Sequence, residues 1–129
     1  MKIYSKDKNS WISIEENDDE FGVEGTYTIE AKLDIGHSSF RGINKEVVLL
    51  ETARFKEAMD SFITNRSLTP TLEGTYNTSI SLAAKGNNVV LKINLGSSFC
   101  GEHTYNYLVS GEFDIAQEYL NNIVEALLN

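Results

Sequence analysis

Tyr27, Ile29, Ala31, Leu33 and Ile35 alternate with Thr26, Thr28, Glu30, Lys32 and Asp34. A period of two sustained this long predicts a strand with one face in water. Trp11 to Ile14 repeats the pattern over a shorter span, with Ile12 and Ile14 on one side, and Ser39 to Leu50 has room for one or two short strands. The period then changes. Phe55, Ala58, Met59, Phe62 and Ile63 fall on one helical stripe, predicting a helix from about Thr52, its expected N-cap, to about Arg66, with Pro70 barring continuation. Alternation returns in Tyr76 to Ala84, Val89 to Leu95 and Thr104 to Phe113, a three-strand meander whose Lys85-Gly86-Asn87-Asn88 link suits a hairpin turn. Ile115, Ala116, Tyr119, Leu120, Ile123, Val124, Leu127 and Leu128 form the apolar face of a closing helix, for which Asp114 is the expected cap and Gln117 its partner. Short links between most strands favour antiparallel pairing. The expected fold is α+β: an antiparallel sheet of about five to seven strands, with two helices packed on one face and the second helix C-terminal.

Composition narrows the class. The 129 residues are 41% hydrophobic and 23% charged, the profile of one globular domain, 1-129, able to bury a core without staples. A lone Cys100 cannot form an internal disulfide. Nineteen acidic residues against eleven basic ones give a formal charge of -8, which disfavours direct nucleic acid binding and anionic membranes and predicts a basic partner. The polar start, Met1 to Ser10, has no apolar run for a secretory signal, and no apolar run reaches spanning length. The expected compartment is therefore the cytoplasm. A homodimer is left open.

Candidate chemistry is sparse. Cys100-Gly101-Glu102-His103 places a thiol near an imidazole, but no nucleophile motif surrounds them, and catalytic pairs are usually joined by the fold instead of by sequence. A small core Cys is the simpler reading. Cys100, His37 and His103 lack the paired spacing of a zinc site. Taking Gly22 as the central glycine of a calcium loop puts Phe21 and Thr28 where ligands belong. No phosphate-binding glycine motif is present. No metal, no cofactor and no catalysis are expected.

What stands out is acidic. Glu15, Glu16, Asp18, Asp19, Glu20 and Glu24 fall within ten residues that include Phe21 and neither Lys nor Arg. Such a run is often only a solvated loop. It also has the composition of a docking surface, with carboxylates standing in for phosphates and an aromatic anchor among them.

Taken in order, Trp11-Ile12-Ser13-Ile14, the strand Tyr27 to Ile35, Phe40-Arg41-Gly42, the helix carrying Phe55, Met59 and Phe62, Leu72-Glu73-Gly74 and Gln117-Glu118-Tyr119-Leu120 resemble the small bacterial immunity proteins of the WapI type. These accompany wall-associated polymorphic toxins. The entry to the last helix departs from that pattern, since Ile115 and Ala116 separate Asp114 from Gln117 where the family places Asp beside Gln. The resemblance implies a cytoplasmic, non-catalytic protein that protects its producer by binding a cognate toxin domain, often a nuclease. Two other classes remain: a ligand-binding or regulatory module with an apolar pocket lined by Tyr27, Phe62 and Tyr105, and a small enzyme using Cys100 and His103.

Overall fold

The computed structural model describes residues 1–18, 25–100 and 104–128. Among the described residues, nine strands and two helices follow one another as β1 (Lys2–Tyr4), β2 (Trp11–Glu16), β3 (Tyr27–Asp34), β4 (Ser39–Val47), β5 (Leu49–Leu50), α1 (Thr52–Phe62), β6 (Thr71–Gly74), β7 (Ser79–Lys85), β8 (Asn88–Cys100), β9 (Thr104–Ile115) and α2 (Tyr119–Leu128). The fold is α+β and its pairings are antiparallel. The strands divide into two sheets, one of four strands in the order β1-β2-β3-β4 and one of five in the order β5-β6-β7-β8-β9.

Most of the period-two positions become the interior, but Ile35, expected at the end of the β3 alternation, lies past the strand and is 70% exposed. Ile12, Ile14, Ile29 and Ala31 from the first sheet and Leu82, Val89, Leu91, Ile93 and Leu95 from the second are buried in one cluster with Phe55, Met59 and Phe62 of α1 and Leu120 and Ile123 of α2. Each large side chain so buried contributes about 1.5–3 kcal/mol before entropy is set against it. The sheets meet where β3 and β4 cross β8 and β9. A Cβ at Gly42 would touch Leu95 and Val109, and one at Gly111 would lie 2.2 Å from Leu33 Cδ2, so Gly111 lets β9 approach β3 closely. Thr71, Glu73 and Lys92, on the opposite side of the second sheet, are exposed.

Several boundaries differ from expectation. Helix α1 is entered through Glu51 in the left-handed region, with no side-chain cap bond, so Thr52 is not its cap. The helix stops at Phe62 instead of near Arg66, because Asn65 Oδ1 draws in the N–H and hydroxyl of Ser67 at 3.2 and 2.6 Å and bends the chain away. Tyr76 and Asn77 do not start a strand. Both have positive φ, 60° and 54°, and turn the chain from β6 into β7. Asp114 does not cap α2: it pairs with Val90 inside β9, and the helix begins five residues later. The Lys85 to Asn88 hairpin is present, with Gly86 at φ 64° in its tight link.

A bulge in β4 puts a buried polar residue and a buried valine on one face. Tyr27 pairs with Val47 but Ile29 pairs with Asn44, so β4 carries one extra residue there, and Glu46 takes φ 56°. In an unbroken strand residues 44 and 47 would face opposite sides. Asn44 faces inward in step with Gly42, the bulge brings Val47 to the same side, and Asn44 is 5% exposed. Its Nδ2 donates to Thr78 Oγ1 at 3.0 Å and to the Gly96 carbonyl at 3.1 Å, with the Tyr76 carbonyl at 3.5 Å. One amide thus ties β4 to the β6–β7 turn and to β8.

The turn from β1 to β2 is closed by its own side chains. Ser5 Oγ donates to Asp7 Oδ1 at 2.5 Å and accepts from the Ser10 N–H, while Ser10 Oγ accepts from the Asp34 N–H and so links the turn to β3. The Ser5 hydroxyl and then the Asn9 N–H hold the exposed Asp7 carboxyl below its ordinary value of 3.8. A carboxyl whose folded value is depressed stabilises the fold above its unfolded value, and the effect is lost as pH falls through the lower, folded one. The amide shifts of Asn9 and Ser10, followed by NMR during acid titration, should therefore move at a pH below 3.8. In Asp7→Asn that step should vanish.

Candidate interaction surface

At the end of the β2–β3 ladder, Asn17 forms a clamp. Its N–H donates to the Thr26 carbonyl at 2.8 Å, its Nδ2 donates to Thr26 Oγ1 at 2.9 Å, and its Oδ1 accepts from Thr28 Oγ1 at 2.8 Å. Asn17 uses its short polar side chain to satisfy backbone and hydroxyl groups where the ladder ends. Glu15, Glu16 and Asp18 flank this clamp and are exposed. The register puts Glu15 opposite Thr28 and Glu16 opposite Tyr27, so the two carboxylates leave opposite faces of the hairpin. Glu15 also accepts from the amino terminus of Met1 at 2.7 Å, yet its side chain stays 66% exposed. Three of the acidic positions singled out in the sequence are thus held at one end of a locked hairpin. Asp19, Glu20, Phe21 and Glu24 lie outside the described residues.

The opposite end of the same sheet has a different character, which sequence reasoning missed. Pairing aligns Tyr4 of β1 with Trp11 of β2, Trp11 with Lys32 of β3, and Lys32 with Arg41 of β4. These four side chains therefore stand in one row across all four strands, on the face turned away from the core. Lys2 Nζ lies 4.0 Å from the centre of the Trp11 ring and 5.7 Å from that of Tyr4. The Arg41 guanidinium lies 5.5 Å from Trp11, and Lys8 Nζ 5.9 Å from Tyr4. Arg41 is paired with Glu30. Lys2, Lys8 and Lys32 form no ion pair among the described residues. The alternation around Lys32 already marked it as facing water. Its three partners in the row come from distant segments, so only the register reveals them.

The other chemical candidates gain little. Cys100 pairs through its backbone with Thr104, whereas its side chain and all of His103 lie outside the described residues. Among the described residues, no three His, Cys, Asp or Glu side chains are grouped to hold a metal ion. A surface groove of about 410 Å³ is lined by Glu73, Gly74, Asn77, Thr78, Ser79, Asn94 and Leu108. Two further grooves lie beside Arg54 and beside Arg66. Tyr27 and Phe62 line none of these three; both pack in or against the core, and the Tyr105 side chain lies outside the described residues. No described helix is long and apolar enough to cross a membrane. Comparison with protein-family models, curated proteins and solved structures found no match to this chain.

Proposed function

We propose that this chain is a non-catalytic, immunity-like binding protein that neutralises a cognate bacterial toxin domain in the producer's cytoplasm by seating the acidic end of its β2–β3 hairpin on that domain's basic surface. The observation that carries the reading is the Asn17 clamp, which presents Glu15, Glu16 and Asp18 from a fixed ladder. Carboxylates held in place lose little freedom on docking, so more of their attraction to a basic cleft survives as affinity. A toxin that acts on nucleic acid must itself offer a positive cleft, and a hairpin end that carries carboxylates on both faces can occupy it in place of phosphates. The sequence from 15 to 24 contains no Lys or Arg, and the amino terminus of Met1 meets Glu15.

Association kinetics with the candidate toxin domain encoded by the adjacent gene test this directly. Reversing Glu16 and Asp18 to Lys is expected to slow association about ten-fold or more at low ionic strength and to flatten its dependence on salt, since exposed charges act mainly on encounter. Unchanged association rates would move the interface elsewhere.

A further inference from the structure

We propose that the row formed by Tyr4, Trp11, Lys32 and Arg41 is a second binding surface, and that it takes an acidic peptide segment of a partner protein. This surface is separate from the acidic hairpin end. Trp11 and Glu15 are four residues apart on β2, about 13 Å along the strand, so one sheet face carries opposite charge at its two ends.

Three features point to an acidic occupant. First, the chain has an excess of eight negative charges, yet Lys2, Lys8 and Arg41 lie near two aromatic rings and Lys32 stands opposite Trp11 in the register. Glu30 pairs with Arg41, and the three lysines have no ion-pair partner among the described residues. Like charges held together in this way repel one another, and carboxylates brought by a partner would relieve the repulsion while the cations remain over the rings. Second, Trp, Tyr and Arg are the side chains that dominate binding energy when a partner covers them. Ile43, 45% exposed and opposite Glu30 in the adjoining row, adds an apolar contact. Third, four strands span about 14 Å from first to last, which matches four to five residues of extended peptide. A nucleic acid strand carries a charge at every nucleotide beyond that footprint and would meet the repulsion of the remaining acidic surface.

Trp11 is the only tryptophan, so its fluorescence reports on this row. Titration with blocked hexaglutamate is expected to change Trp11 emission saturably, with half-saturation below about 1 mM at low salt. The half-point should rise about three-fold or more between about 20 and about 150 mM salt. Lys2→Gln with Lys32→Gln, two exposed or half-exposed sites that leave the Arg41–Glu30 pair intact, should weaken binding about five-fold with the circular dichroism spectrum unchanged. A flat titration, or equal half-saturation in the double variant, would overturn the proposal. An oligothymidylate of equal charge that binds more tightly than hexaglutamate would make this a nucleic acid surface and overturn the peptide assignment. The acidic-end reading is independent of all these outcomes, because it is read by association with a basic domain.

Discussion

Asn44→Asp is expected to destabilise the protein by about 3–5 kcal/mol, read as a fall in the urea midpoint with little change in slope. Asn44 is buried, and its one amide nitrogen faces the Thr78 hydroxyl and the carbonyls of Gly96 and Tyr76. A carboxylate at that position has no hydrogen to offer either carbonyl. It would place a negative charge against two acceptors in a site from which water is excluded, where both desolvation and repulsion act against it. Burial among acceptors favours the protonated carboxyl, whose folded pKa in the variant is thus raised. A raised value means that the defect is largest at neutral pH and shrinks as pH falls towards the ordinary carboxylate range, about 4. A loss below about 1 kcal/mol, the worth of one ordinary hydrogen bond, would show that the amide does not join the sheets.

Phe62→Ala is expected to cost a similar amount, about 3–5 kcal/mol, from lost transfer free energy plus the cavity left behind. Phe62 is fully buried on the last turn of α1, together with Phe55 and Met59. The Arg66 guanidinium also lies over its ring at 4.8 Å, with Nη2 donating to Gln117 Oε1 at 3.4 Å just ahead of α2. Truncation would therefore loosen α1 on its sheet and remove the support of the cation that reaches towards α2. Chemical denaturation checks the magnitude. Hydrogen exchange checks the location, since amides of α1 should lose protection before those of β8. A small loss spread evenly over the molecule would contradict this packing.

Much of the fold was legible because its cause is periodic. The alternation around Ile29 and Ala31 placed β3 to within a residue, and the stripe of Phe55, Met59 and Phe62 placed the body of α1. What escaped depends on contacts between distant segments. Nothing in the neighbourhood of Glu46 announces a bulge, so the sequence from Ser39 to Leu50 indicated strand without saying which of its residues face inward until β3 supplied the register. Ile115 fits the apolar face of a helix as well as it fits the inward row of β9. Pairing with Val89 decides for the strand and removes Asp114 from its expected cap. β1, only three residues long, is too short to show a period and exists because β2 pairs with it. The same limit governs the surfaces. Glu15, Glu16 and Asp18 are neighbours in sequence and were visible as a cluster, whereas Tyr4, Trp11, Lys32 and Arg41 become neighbours only when four strands align.

The most direct test of the account is calorimetric titration of the candidate toxin domain encoded by the adjacent gene into this chain, with toxin activity assayed alongside. A non-catalytic immunity-like protein predicts a one-to-one complex with Kd below about 1 μM, equivalent to more than about 8 kcal/mol, and loss of toxin activity at stoichiometric addition. Absence of heat and of inhibition at micromolar concentrations would contradict it.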